Sequence, residues 1–551
     1  MITDGRLLAD CRRMVTLLEN DLRARTDSVD ELRTRLRAEW SQARAAGRTD
    51  KAYEDWREDP ITQAAVAWVL GCVFVRFCED NRLYEVPLLS GPGPLRAIAQ
   101  DHRLAWLAER PSAGDREWLL EVFRRYAELP GTCEIFSDRN PIWHLAPTDD
   151  GAAELVQLWW ALKDDGAELV HDFWDPHRRT DLLGRIHDAL APGELADITR
   201  MLGDLYQDVS DSAKEHYALL QTPQFVESFI LDRTLNPALD TFDLKHFRMI
   251  DPACGSGHFL LGAFPRLLAA WLEARPGADP RELAASALES IYGVDVNPFA
   301  VAIARFRLLV AAMTVSGVQR LADAPAFPIQ VAVGDSMLRG TRPGQMLKLS
   351  EADDPLLRHR YPTEDGDRAD EYLTAGRYHA VVGNPPYITV KDPALNRAYR
   401  ARFKDTCHRQ YSTAVPFMER FFDLAIEPRG GGPAGFVGMI TANSFMKREF
   451  GKKLIETYLP SKALTHVIDT SGAYIPGHGT PTVILLARNR RPDASSPVRA
   501  VLSIRGEPGR PTDPAKGKVW SSIENMIEFP GEENQYVSIV DLPREQLGTE
   551  H

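Results

Sequence analysis

The sequence predicts an α/β protein: a doubly wound, mostly parallel sheet of seven strands preceded by a mainly α-helical region. Three observations predict it. From about residue 206, short apolar runs with strand character alternate with longer helical patterns. Several of those runs stop at turns rich in Gly, Asp, Asn and Pro, as strands do where they meet a following helix. Before residue 206, apolar residues recur instead at helical spacing.

In chain order, Leu7, Leu8, Cys11, Met14, Leu17 and Leu18 form one helical stripe, and Asp30 to Arg44 mixes both charges as a solvated helix does. The longest apolar run, Ala64 to Val75, is too short to cross a bilayer and reads as a buried helix. A Pro/Gly-rich stop follows at Pro87 to Pro94. Tryptophans 106, 118, 143, 159, 160 and 174 fit inter-helix packing better than base stacking. Pro192-Gly193 breaks the chain before an apolar stretch, Leu195 to Leu205. Strands are expected near 247–251, 290–294, 329–333, 378–382, 435–440, 464–468 and 481–487, with helices such as Phe259 to Ala274 and Pro298 to Thr314 between them. After about 490 the chain turns Pro- and Gly-rich, with weak strands beyond. The expected division is 1–205 helical, 206–490 wound sheet, and 491–551 linker and start of a further region.

Across 551 residues, 44% hydrophobic and 26% charged composition is that of an ordinary globular chain. No basic stretch followed by an apolar one marks a secretory leader at the N-terminus. The six cysteines show no Cys-x-x-Cys pair and no zinc spacing, so no metal is expected, and reduced thiols in a cytoplasm fit best. A net charge of −13 excludes a simple basic nucleic-acid coat; contact with DNA would rest on local patches.

In doubly wound sheets ligands sit outside the carboxyl ends of the strands, and the motifs fall there. The first strand ends in Asp251-Pro252-Ala253-Cys254-Gly255-Ser256-Gly257-His258-Phe259. Its glycines allow a tight turn close to a ligand, but residue 260 is Leu and no Gly-Lys-Ser/Thr follows. An acid before a short Gly-x-Gly turn suits a nucleoside with a positive sulfonium better than a pyrophosphate. The second ends in Asp295-Val296-Asn297-Pro298, an acid placed for ribose hydroxyls, and the third in Gly334-Asp335-Ser336, a carboxylate placed for an adenine amino group. Either acid alone reads more simply as a helix N-cap; three acids on three successive strands do not. Upstream, Thr222 can cap the helix that Pro223 opens, leaving amides free for a carboxylate.

The fourth strand ends in Gly383-Asn384-Pro385-Pro386-Tyr387. Two prolines hold an extended loop that presents an amide oxygen, a carbonyl and a ring. The two oxygens can accept both hydrogens of an exocyclic amine, and the ring can stack on the planar system that carries it, foremost a flipped adenine. The plain alternative is a stiff turn that only ends a strand.

Taken in order, these motifs resemble the gamma class of DNA amino methyltransferases, the adenine-N6 branch, over roughly residues 206–490. Arg76-Phe77-Cys78-Glu79-Asp80-Asn81-Arg82-Leu83 and Leu202-Gly203-Asp204-Leu205-Tyr206 further resemble the methyltransferase family of BREX and phage-growth-limitation defence systems, type 2 in particular. The resemblance implies a Rossmann-like sheet, S-adenosyl-L-methionine as cofactor, and double-stranded DNA and other BREX proteins as partners. It assigns Thr222, Asp251 and the turn Ala253, Cys254, Gly255 and Gly257 to the methionine moiety, and Asp295 with Val296 to the ribose. Asp335 with its neighbouring backbone falls to the cofactor adenine and Ser336 to the cofactor site; Asn384 and Pro385 fall to the target amine, with Pro386 and Tyr387 in the same catalytic loop and Asn384 also bordering the cofactor. Tyr387 and Tyr474 fall to base stacking. It also implies a large target-recognition domain, of which this chain would hold only the start.

Asn rather than Ser at 384 favours adenine N6 over cytosine N4, and the lack of Pro-Cys excludes cytosine-C5 chemistry. Lys391, Arg397, Arg400, Arg402 and Lys404, interleaved with Tyr399, Phe403 and Tyr411, read as a phosphate-contacting segment beside the pocket. The same loop also serves enzymes that methylate glutamine amides or guanine amino groups of ribosomal RNA. A defence scaffold or phage sensor that binds the cofactor without catalysis is the third reading.

Overall fold

The computed structural model describes residues 4–91, 93–162, 170, 222–343, 354–428, 431–476 and 480–544. Trp174, Pro192-Gly193, Leu195 to Leu205, the Leu202–Tyr206 motif and Leu220-Gln221 lie outside the described residues.

The helical region comprises α1 (Asp4–Ser28), α2 (Asp30–Ala45), α3 (Tyr53–Asp80), α4 (Arg96–Ala108), α5 (Asp115–Ala127) and α6 (Asp149–Trp160). Helix α3 is longer than its apolar run suggested. By length and composition it and Pro298–Val315 are each apolar enough to cross a membrane, yet 94% and 83% of their most apolar windows are buried inside the fold. The motif at its end has a structural task. Glu79 is 2% exposed and its carboxylate accepts from the amides of Leu88, Leu89, Ser90 and Gly91 at 2.6–3.1 Å. Those donors would otherwise be buried without partners.

The second part begins with α7 (Gln224–Thr241) and β1 (Met249–Asp251), then α8 (His258–Ala274), α9 (Pro280–Glu289), β2 (Ile291–Asp295) and α10 (Pro298–Val315). It continues with β3 (Gln330–Val333), α11 (Gly366–Tyr372), β4 (Ala380–Gly383), α12 (Pro393–Arg402), α13 (Ala414–Leu424) and β5 (Phe436–Ala442). β6 (Ala463–Asp469), β7 (Thr482–Arg488), β8 (Val498–Ser503), α14 (Lys518–Met526) and β9 (Val537–Leu542) complete it.

All strands join one sheet in the order β3-β2-β1-β4-β5-β7-β6-β8-β9. The ladders from β3 through β5 are parallel; β7 runs antiparallel between β5 and β6. Along the central strands every residue is buried on one face or the other. Ala380 and Val382 join one core with α3, α7, α8 and α10, while Val381 joins the other with α11, α12 and α13. That is why these strands read as continuous apolar runs.

Each of the seven expected strands is present, with its ends shifted by a few residues. Two more extend the sheet: β8 pairs with β6 in parallel and β9 with β8 antiparallel. The weak strands expected beyond the Pro- and Gly-rich stretch after 490 thus belong to the same sheet. The helical region is not insulated from it either: Phe74 and Phe77 pack on Phe306 of α10 at ring-centroid distances of 4.9 and 5.2 Å.

Candidate active site

Strand order brings the carboxyl ends of β3, β2, β1 and β4 side by side. A cavity of about 1540 Å³ opens there. Ala253, Gly255, Asp295, Val296, Asp335, Ser336, Asn384, Pro386 and Lys391 line it. Asp251, Cys254, Gly257, Pro385, Tyr387, Thr222 and Tyr474 are not among the residues that line it.

The turn after β1 needs its glycines. Gly255 and Gly257 have φ of 51° and 86°, the left-handed region that side chains with a Cβ rarely adopt. Gly255 donates its amide to Asp295 at 2.9 Å, and the other Asp295 oxygen takes the Asn297 amide at 2.9 Å. Asp295 therefore closes the turns after β1 and β2 together. Burial holds its carboxyl above the usual range, against those two hydrogen bonds. Asp251 is pushed up further, by burial and by the charge of Asp295, although the Ala253 amide binds it at 2.9 Å. Both buried carboxyls are thus biased toward their neutral forms, Asp251 with the charge of Asp295 working against its own ionisation. Cys254 is buried and its thiol is pushed up, so it is no nucleophile.

Asp335 Oδ1 caps the turn after β3 by accepting from the amides of Met337 at 2.8 Å and Leu338 at 3.2 Å. Its Oδ2 accepts from the Tyr399 hydroxyl at 2.7 Å. Ser336 donates to the Pro252 carbonyl at 2.6 Å, tying the third turn to the first.

In the loop after β4, the Tyr387 hydroxyl donates to Asn384 Oδ1. Burial holds that phenol well above its usual range, so it remains a donor. Thr413 fixes the loop: its one hydroxyl hydrogen is shared between the carbonyls of Pro386 at 2.7 Å and Ile388 at 3.1 Å, and its amide donates to the Ile388 carbonyl at 2.8 Å.

Several expectations need correction. Thr222 does not cap a helix: α7 starts at Gln224, and Pro223, at the cap position, has no side-chain acceptor. Tyr474 does not line the cavity, and its ring carries the Arg510 guanidinium at 5.4 Å from the centroid. In the basic segment, Tyr399, Phe403 and Tyr411 are buried in the core. Arg402 donates to the Gly340 carbonyl at 2.5 Å, Arg397 pairs with Asp50 at 2.7 Å, and Arg400 bonds the Arg409 carbonyl. Lys391 and Lys404 are exposed. The aromatics thus turn into the core and leave the segment's surface, whereas Arg397, paired with Asp50, keeps 68% of its side chain exposed.

The helical region supplies part of the wall, which the motifs did not reveal. Arg48, Thr49, Trp56 and His144 face the cavity beside Tyr361, Glu364 and Tyr399. Arg48 and Arg339 clasp the buried Glu364 at 2.6 and 2.7 Å. Asp392, which caps α12 through the Ala394 amide at 2.8 Å, also accepts from the Thr49 hydroxyl at 2.5 Å and the Asp50 amide at 3.0 Å. Among the described residues no cluster of His, Cys, Asp and Glu is suited to a metal ion.

A sheet ordered 3-2-1-4-5-7-6 with an antiparallel seventh strand, and with its pocket at the β1–β4 switch, is the fold of the S-adenosylmethionine-dependent methyltransferases. Residues 289–475 match the family described as Eco57I restriction-modification methylase. Over 99% of its length the chain is 49% identical to the adenine-specific methyltransferase PglX of Streptomyces coelicolor, of which it covers 45%. It is 21% identical to the type II restriction enzyme and methyltransferase RM.Eco57I of Escherichia coli, matching 79% of this chain and 41% of that one. Among solved structures, a DrdV–DNA complex aligns at a TM-score of 0.49 and 12% identity over 90% of this chain and 42% of that one. The resemblance to the PglX type of adenine-specific methyltransferase is thereby borne out, and the chain spans less than half the length of these curated relatives.

Proposed function

We propose that the chain carries the catalytic part of a site-specific DNA methyltransferase that moves a methyl group from S-adenosyl-L-methionine to adenine N6, in a BREX-type anti-phage system in the cytoplasm. One observation carries this reading: Asn384 shares a single cavity with Asp295, Asp335 and Gly255. About 1540 Å³ exceeds the roughly 300–1,000 Å³ of a site for one small ligand, so a cofactor and a target base fit together.

Asp295 would hold the ribose, Asp335 and Ser336 the adenine, and the turn 253–257 the methionine end, with Asp251 and Asp295 offsetting its positive sulfur. The cofactor supplies an activated methyl group. The protein contributes position. An aromatic amine is a weak nucleophile because its lone pair is delocalised. Asn384 Oδ1 and a proline carbonyl of the loop would accept its hydrogens and turn the lone pair out of the ring plane. The Tyr387 hydroxyl already on that oxygen presets the amide's orientation, and its ring offers a stacking face. Lys391 is the cation of the segment nearest the pocket and would meet a phosphate of the flipped strand.

The test is transfer of labelled methyl from the cofactor to DNA, beside release factor and ribosomal RNA. Asn384→Ala should bind the cofactor normally and lose transfer by at least about 100-fold. Full activity in that variant would remove the loop from the mechanism, and label in protein or RNA but not in DNA would overturn the substrate.

A further inference from the structure

We propose that Tyr399 is a positioning residue that makes Asp335 selective for an amino group at the 6-position of the cofactor's purine. The inference rests on the proposed function. Tyr399 sits on α12, the helix that directly follows the target loop, yet its hydroxyl reaches back to the end of β3. The ring is 9% exposed and lines the cavity beside Asp335 and Ser336.

Asp335 has two oxygens with two lone pairs each. Two backbone amides fill Oδ1, and the phenol takes one position on Oδ2. What remains toward the cavity is acceptor capacity alone, at an oxygen that cannot rotate. Tyr399 can only donate there, because burial and the neighbouring carboxylate both hold its proton on. A 6-amino purine offers a donor that this acceptor matches. A 6-oxo purine puts an acceptor against it and leaves a buried carboxylate lone pair unmet. Without the hydroxyl, the Oδ2 edge is free to tilt or to admit water, and the distinction blurs.

Two further contacts suit α12 to this task. Asp392 pins its first turn to Thr49 and Asp50 of the helical region, and Arg402 pins its last turn to the Gly340 carbonyl. The hydroxyl therefore has a fixed origin at both ends of its helix.

The experiment measures equilibrium binding of S-adenosylhomocysteine and of its inosyl counterpart to the whole chain, by calorimetry, for wild type, Tyr399→Phe, Asp335→Asn and the double variant. Wild type should favour the adenosyl compound. Y399F should lose about tenfold of adenosyl affinity, the size of one hydrogen bond to a charged group, with little change for the inosyl compound, so that the ratio collapses. In the Asp335→Asn background the second substitution should change the ratio no further. Equal weakening of both compounds in Y399F would mean a merely structural tyrosine and overturn the proposal, as would an unchanged ratio. If Y399F melts too early to measure, an Asp335→Asn ratio equal to wild type overturns it as well. Wild type that binds neither compound would overturn the cofactor reading, and this inference with it; binding with an unchanged Y399F ratio overturns the tyrosine's role alone.

Discussion

Gly383→Ala tests the packing on which the site depends. Gly383 ends β4, immediately before Asn384, and β4 pairs in parallel with β1, whose last residue is Asp251. A Cβ at 383 would stand 2.5 Å from Asp251 Oδ1 and 3.1 Å from Phe421 Cζ. Neither neighbour can yield cheaply. Asp251 is 2% exposed and its Oδ1 holds the Ala253 amide; Phe421 is fully buried in the core on the other face. Overpacking of this kind costs about 1–3 kcal/mol, and displacing the Asp251 bond adds about 1 kcal/mol. Urea unfolding should therefore show a loss of about 2–4 kcal/mol at constant m-value, and cofactor affinity should fall because the 252–257 turn shifts with Asp251. Gly255→Ala is the contrast. Its Cβ meets nothing within 4 Å, so only the strain of a φ of 51° remains, about 1–2 kcal/mol. If G383A unfolds at the wild-type urea midpoint, the close approach of Asp251 to the fourth strand is wrong, and the shared cavity with it.

Two pH-linked predictions follow from buried carboxylates. Glu364 is buried, which works against its charge, yet Arg48 and Arg339 hold it below the usual range. A depressed folded value contributes stability that is present above the unfolded value, near 4.5, and is lost as pH falls through the folded one. Glu364→Gln should thus destabilise by about 3–5 kcal/mol at pH 7, leaving two buried guanidiniums, and the gap to wild type should close in acid melts. Asp251 is the reverse case: burial raises its folded value, so its ionisation opposes folding as pH rises through that value. Asp251→Asn should melt above wild type at pH 8 but not at pH 3, while binding the positively charged cofactor more weakly than wild type does; equal melting at both pH values would refute the burial argument.

Much of the sheet and the four strand ends around the cavity were legible because the signals are local. A buried parallel strand writes itself as an apolar run, and a β–α turn writes itself as Gly, Asp or Pro at its end. The turn at 251–257 and the ends of strands at 295, 335 and 384 needed no knowledge of distant chain. Asp295 was read as a ribose ligand or a helix N-cap; that it also closes the turn before it through the Gly255 amide was not legible.

Other features arise between residues far apart in sequence, and these only the tertiary structure decided. Thr49 meets Asp392, Arg48 meets Glu364, and Tyr399 meets Asp335 across gaps that no periodicity encodes. Whether Arg397 and Arg402 remain available to DNA, or Tyr399 and Phe403 face a base or the core, depends on which helix face packs inward, and composition is blind to that. The sequence by itself determined the succession of strands along the chain and the residue types at their ends, because backbone sterics and turn geometry act over a few residues. The fold decided who completes the pocket, because side chains that meet by packing leave no mark on their neighbours in the chain.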